Sequence, residues 1–191
     1  MKKLIQWGNS KFPNILMFNI PATKAICGRV CTGCYSHKAY KIYPNVLPAQ
    51  EERYQAALQP DFAIRVKKEI ARVRNPFKHF RIHASAGEFF SQPYVNAWHS
   101  IALAFPTITF FAYTKRLRDF DFSQLQSLPN VCIIDSFFFG GLNYGKLERK
   151  PAGAFLCPDY KGNTGVQCGT TCTYCQTKGG ADTNGVYFLQ H

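Results

Sequence analysis

Ile15-Leu16-Met17-Phe18-Asn19-Ile20-Pro21 leads, a few residues later, into Cys27-Gly28-Arg29-Val30-Cys31-Thr32-Gly33-Cys34. The first part is a short apolar run ended by proline, the pattern of a buried strand. The second is a Gly-containing loop that carries three thiols. A strand that hands chemistry-bearing residues to the loop at its C-terminal end is the repeating unit of a parallel α/β sheet.

Working outward, the same unit recurs. Ala49 to Leu58 is rich in helix formers, Pro60 breaks it, and Asp61 is placed as an N-cap for a helix over Phe62 to Arg74. In that helix Phe62, Val66, Ile70 and Val73 share one face at three-to-four spacing, with Lys and Arg opposite. Phe80 to His83 reads as a strand, Pro93 to Phe105 as a helix with proline in its tolerated early position, and Thr107 to Tyr113 as a β-branched and aromatic strand. Ser123 to Leu128 predicts a short helix and Val131 to Phe139 a strand stopped by Gly140-Gly141. Beyond it the chain is Gly-rich, with two brief apolar runs, Ala154-Phe155-Leu156 and Val186 to Leu189. Alternating strands and helices predict an α/β fold with a parallel sheet. The first cysteine loop, Gly87-Glu88 and Tyr113-Thr114-Lys115 all leave C-terminal strand ends, so they should gather at one edge.

The cysteines carry the chemistry. Cys168-Gly169-Thr170-Thr171-Cys172-Thr173-Tyr174-Cys175 repeats the C-x3-C-x2-C spacing of Cys27, Cys31 and Cys34, and each copy has Gly after its first Cys. Three thiolates in one short loop suit a cubane iron–sulfur cluster, which leaves one iron open to a chelating ligand. Zinc prefers paired ligands, four in total. Cys157, in Leu156-Cys157-Pro158, supplies a fourth thiolate for the second copy, giving a closed site of Cys157, Cys168, Cys172 and Cys175 on iron–sulfur or zinc. At the first copy, the zinc alternative takes a histidine, His37 or His83, as fourth ligand. Cys132, between Val131 and Ile133, reads as a buried small hydrophobe.

Composition sets the limits. The 191 residues suffice for one domain with a sizeable core. Residues 1–150 are expected to form the α/β core, and residues 151–191 a Gly- and Cys-rich metal-binding segment packed on it. No apolar run is long enough to span a membrane, and no signal sequence follows Met1-Lys2-Lys3, so the expected location is the cytoplasm. Eight cysteines without an export signal argue for metal rather than disulfides. The net charge of +12 favours polyanions, so nucleic acid is a candidate partner through a basic surface.

The Cys27-x3-Cys31-x2-Cys34 pattern resembles the cluster motif of radical S-adenosylmethionine enzymes. That resemblance implies a partial (β/α) barrel-like sheet, a four-iron cluster and S-adenosylmethionine on its open iron. Ala86-Gly87-Glu88-Phe89 stands where those enzymes carry a Gly-Gly-Glu-Pro-like segment that meets the methionine amine. Their aromatic residue before the third cysteine is replaced here by Gly33, with Tyr35 just after it. A second resemblance covers more of the chain. Cys34-Tyr35, Tyr43-Pro44-Asn45-Val46, Arg81-Ile82-His83, Gly87-Glu88-Phe89-Phe90-Ser91, Tyr94, Trp98, Phe111-Ala112-Tyr113-Thr114-Lys115, Phe188 and His191 are similar to the phage "gene product 88" family. It implies a bacteriophage or other mobile-element origin and no particular substrate.

Two functions follow. One is an iron–sulfur protein with an S-adenosylmethionine-binding first cluster and an auxiliary or structural second one, enzymatic if that cluster is reactive. The other is a zinc-stapled, non-enzymatic nucleic-acid-binding protein of a phage or plasmid. Gly87, Glu88, Tyr113 and Lys115 are the candidate cofactor contacts. His83 and Glu88 are candidate proton donors or acceptors, and His83 reads equally well as a strand histidine with a satisfied hydrogen bond. His37, Lys38 and Lys41 read as a solvated basic loop, Phe137 to Phe139 as core, and His191 as a terminal residue or a ligand.

Overall fold

The computed structural model describes residues 3–8, 14–28, 34–135, 155–156 and 186–187. Four parallel strands, β2 (Ile15–Phe18), β3 (His79–Ile82), β4 (Thr109–Thr114) and β5 (Val131–Asp135), lie side by side in chain order. A short strand, β1 (Gln6–Trp7), pairs antiparallel with β2. Six helices fill the connections: α1 (Lys24–Cys27), α2 (Tyr35–Ile42), α3 (Val46–Ala57), α4 (Phe62–Ala71), α5 (Gln92–Leu103) and α6 (Ser123–Ser127). Parallel strands added in chain order by crossovers of one hand place the connecting helices on one face of the sheet.

The strand alternation shows it. Leu16, Phe18, Phe80, Ile82, Phe110, Ala112, Val131 and Ile133 belong to one buried core with Phe62, Val66 and Ile70 of α4, Tyr94, Trp98 and Ile101 of α5, and Leu125 of α6. At its centre the Trp98 ring meets Phe18, Phe62 and Phe80 at centroid distances of 5.5, 5.8 and 5.6 Å. Truncating such a ring in a packed core costs about 3–5 kcal/mol. The intervening residues face the other way. Met17, Arg81, Phe111 and Cys132 are register partners across four strands, and Met17, Phe111 and Cys132 are buried. The expectation for Cys132 therefore holds. The Arg81 guanidinium lies 5.8 Å from the Phe111 ring centre and 5.2 Å from that of Tyr113.

Several boundaries move. Helix α3 starts at Val46 rather than Ala49, because Pro48 sits in the first turn, where its missing N–H breaks no helical bond. Asp61 precedes α4 but makes no side-chain cap bond. Helix α5 starts one residue before Pro93, with the Ser91 hydroxyl accepting from Tyr94 N at 3.4 Å. Strand β3 is shifted by one residue, so His83 lies just past it. The stretch holding His37, Lys38 and Lys41 is helical rather than a loop. Tertiary bonds hold that helix: Ser36 Oγ donates to Ser85 O at 2.7 Å, and Tyr40 Oη accepts from Ala22 N at 2.9 Å.

The mixed α/β class and the parallel core are as expected. The expected strand end at residues 136–139, the remainder of the 151–191 segment and barrel-like closure fall outside the described residues. Within that segment β6 (Phe155–Leu156) pairs in parallel with β7 (Val186–Tyr187), and Cys157 and the second cysteine triplet lie between them in sequence. Among the described residues, no helix is long and apolar enough to cross a membrane.

Candidate functional site

The C-terminal ends of β2, β3 and β4 form one edge, and most of the expected site residues that are described lie along it. The chain leaves β2 through Asn19 and Ile20 and winds one short helix, capped by the Thr23 hydroxyl, which accepts from Ile26 N at 3.3 Å. Cys27 is the last residue of α1. Gly28 follows in the left-handed region at φ 71°, its N–H donating to Lys24 O at 2.9 Å. That conformation favours glycine. A Cβ on Gly28 would run into the guanidinium of Arg116, beyond the end of β4. Arg116 is held by an ion pair with Asp119 at 2.6 Å and lies 5.1 Å from the Phe120 ring centre.

Cys34 occupies the N-cap position of α2 and, like Cys27, is half-buried. The two thiols share a neighbour. Burial raises the pKa of the Tyr40 hydroxyl, the Ala22 N–H lowers it, and negative charge on Cys34 and Cys27 raises it again. Tyr40 donates to Gln50 Oε1 at 2.7 Å. The His37 Nε2–H donates to Ala22 O at 3.0 Å, which leaves Nδ1 as the lone-pair nitrogen. The fold thus returns the start of α2 to the end of β2. Cys31 of this triplet lies outside the described residues, as do Cys157, Cys168, Cys172, Cys175 and His191. Among the described residues, no three His, Cys, Asp or Glu side chains are grouped to hold a metal.

The loop after β3 turns inward. His83 adopts φ 56°, and its N–H donates to Phe18 O at 2.8 Å, extending the β2–β3 ladder. Its ring is buried, edge-on to Phe89 at 5.0 Å and stacked on Tyr94 at 5.8 Å, with Nε2 3.0 Å from Tyr94 Oη. Nδ1 is buried without a hydrogen-bond partner. Burial pushes the imidazole down to about 3, so it is neutral near pH 7. His83 is thus buried just past its strand, with Nε2 beside the Tyr94 hydroxyl and Nδ1 unpartnered.

Gly87, at φ 92°, packs against Ile20, whose carbonyl oxygen would lie 2.8 Å from an added Cβ. Glu88 is buried with both carboxylate oxygens engaged: Thr114 Oγ1 donates to Oε2 at 2.7 Å, and Lys115 N donates to Oε1 at 3.0 Å. Burial raises its pKa, and those donors together with Lys115 pull it back. Thr114 Oγ1 also accepts from Arg116 N at 3.0 Å. Glu88 therefore fixes the turn that carries Arg116 toward Gly28. Gly87, Glu88 and Lys115 meet at this edge, while Tyr113 lies on the opposite sheet face from the helices, beside Arg81.

The sequence reading missed the polar network behind this edge. Asn19 Oδ1 accepts from Ser85 N at 2.8 Å, and Ser36 and Tyr40 tie α2 to the ends of β3 and β2. An Asn inside an otherwise apolar run was the available signal, because a buried amide needs partners. Arg116 was missed too, since only the fold brings it beside Gly28.

Comparison with known proteins agrees with the second resemblance. The family model described as Gene product 88 matches residues 2–153. The Gene 88 protein of Mycobacterium phage L5 is 30% identical over 122 residues, covering 61% of this chain and 51% of that protein. The Gene 88 protein of Mycobacterium phage D29 is 29% identical over 123 residues, covering 61% of this chain and 50% of that protein. The chain thus spans about half the length of these curated relatives. No solved structure matches. On the family match across most of its length, the chain belongs to the gene product 88 family.

Proposed function

We propose that the protein binds an iron–sulfur cluster at the C-terminal edge of its sheet through Cys27, Cys31 and Cys34, with an open iron that takes a chelating amino-carboxylate ligand such as S-adenosylmethionine. The observation that carries this reading is the bond from Ala22 N to the Tyr40 hydroxyl, which ties α2, with Cys34 at its N-cap, back to the segment that leads into Cys27. The donor set fits. Both thiols are half-buried, and neither caps a helix with its side chain. When bound, such a cluster supplies one-electron chemistry at a ligand. The chain's own residues hold the edge in shape. Glu88 fixes the Thr114–Arg116 turn, Tyr40 and Ser36 anchor α2, and Arg116 sets positive charge beside the thiolate loop. Cys157, Cys168, Cys172 and Cys175 would hold a second, auxiliary or structural cluster.

One observation favours a second reading. The Nε2–H of His37 is committed to a backbone carbonyl, as metal-bound imidazoles arrange it, so Nδ1 is the nitrogen able to join Cys27, Cys31 and Cys34 on zinc. The protein would then be a zinc-stapled nucleic-acid binder using its charge of +12. Anaerobic purification with iron, sulfide and zinc analysis decides between them. Iron with acid-labile sulfide and broad absorption near about 400 nm supports the cluster. Zinc alone in colourless protein overturns it. Added S-adenosylmethionine should change the paramagnetic resonance spectrum of the reduced cluster, and an unchanged spectrum rules out that ligand.

A further inference from the structure

A cavity of about 320 Å³ lies between the N-terminal segment, α3 and α4, built by none of the residues of the cysteine edge. Lys3, Leu4, Ala49, Glu52, Arg53 and Arg65 line it, so three cations face one carboxylate. Arg53 is buried and rigidly placed: its Nε donates to Leu4 O at 3.0 Å and its Nη1 to Ala49 O at 3.1 Å. Glu69, the other acid near Arg53, is engaged elsewhere, accepting from Leu4 N at 2.9 Å and from Ile5 N at 3.0 Å. Arg65 differs from Arg53. Its Nε is buried and has no hydrogen-bond partner.

A half-buried guanidinium with an unsatisfied donor is unfavourable unless an acceptor arrives. A planar fork beside a second, pre-positioned arginine and a lysine matches the oxygens of a phosphate group, which takes several charge-assisted bonds at once. A carboxylate offers fewer oxygens to three cations. We propose that this cavity is a phosphate-binding site, with Arg65 as its principal ligand and Lys3 and Arg53 completing the positive field. The phosphate comes from either a free nucleotide or a nucleic-acid backbone, and the chemistry of recognition is the same for both. The chain's overall charge of +12 steers either one to the surface.

The test uses the full chain at low ionic strength and three variants: Arg65→Gln, Arg65→Lys and, as a control, Arg72→Gln. Arg72 is exposed at the end of α4 and outside the cavity. Thermal melts first establish that each variant folds. Calorimetric titration with inorganic phosphate and with ATP reads a free source, and fluorescence anisotropy with a labelled DNA or RNA oligonucleotide reads the backbone source. Loss of one charged hydrogen-bond partner should weaken phosphate binding by about tenfold or more in Arg65→Gln. Arg65→Lys should lose less, Arg72→Gln should match the parent chain, and added salt should weaken binding throughout. ATP binding without oligonucleotide binding supports the site with a free source, and the reverse supports it with a backbone source. No binding of any phosphate by the parent chain overturns the proposal. So does equal weakening in Arg65→Gln and Arg72→Gln, or citrate binding tighter than every phosphate tried.

Discussion

The loops that leave β2 and β3 start from neighbouring parallel strands and send their polar residues in opposite directions. After β2, a single helical turn places Cys27 half-buried at the rim, and Gly28 follows in the left-handed region beside Arg116. After β3, a left-handed His83 drops its ring among Phe89 and Tyr94, and Glu88 is buried against Thr114. Both loops carry residue types able to do chemistry, yet Cys27 is only half-buried while His83 and Glu88 are buried. The second is a support. It determines where the β4 turn and its Arg116 sit, and through them what surrounds the thiols. Residue type at a strand end says that chemistry is possible there, and the direction of the loop decides whether it is available.

Substitutions can break this comparison, beginning with Gly87. A side chain there must adopt φ 92° and would press on the backbone carbonyl of Ile20. Gly87→Ala should lower the unfolding free energy by about 2–4 kcal/mol, read from urea midpoints, because neither the backbone nor the carbonyl can yield. A change under about 0.5 kcal/mol would show that the β3 loop is not packed as tightly as its geometry implies.

The pH dependence sharpens the contrast within the β3 loop itself. The folded pKa of His83 is lowered from 6.5 to about 3, so its neutral form contributes stability that is complete above pH 6.5 and lost as pH falls toward 3. Glu88 has its folded pKa raised above 4.5, so its penalty grows as pH rises through 4.5 and beyond. Each substitution should cost about 1–3 kcal/mol at pH 7 through lost packing or lost bonds. His83→Asn, which tolerates the positive φ, should flatten the acid-side fall in stability. Glu88→Gln should narrow its deficit relative to the parent chain as pH rises above 4.5. Denaturant titrations between pH 3 and 8 read both slopes, and equal slopes in all three proteins would refute the buried placement.

On the β2 side the effects should be smaller. Gly28→Ala meets only the far end of the Arg116 side chain, which can move, so its cost should stay near about 1 kcal/mol from the left-handed backbone. Its more telling readout is metal retention against a chelator, which should fall as Arg116 is displaced. Cys34→Ser should change the stability of metal-free protein by about 0.5 kcal/mol or less, because the thiol is at the rim and makes no cap bond. The same variant should lose bound metal at the first site. A large loss of stability without metal would mean that Cys34 belongs to the core, not to a centre.

The chain alone carried the strand–helix alternation, the parallel sheet, the amphipathic face of α4 and the placement of Cys27, Glu88 and Lys115 past the C-terminal ends of neighbouring strands. Those features are legible because apolar periodicity and chain reversal are local properties of a sequence. Helices α1 and α2 and strand β1 were not legible, because each is too short to stand on propensity. They exist through bonds to distant partners, as with Ser36 to Ser85, Tyr40 to Ala22, and the Gln6–Met17 pairing. The roles of His83 and Glu88 were decided only by the tertiary structure. Their protonation and access depend on Tyr94 and Thr114, 11 and 26 residues away in sequence, and on burial that no local pattern encodes. The same holds for Arg65, whose basic character is plain in the chain but whose unsatisfied Nε arises only where α4 packs beside α3 and the N-terminal segment.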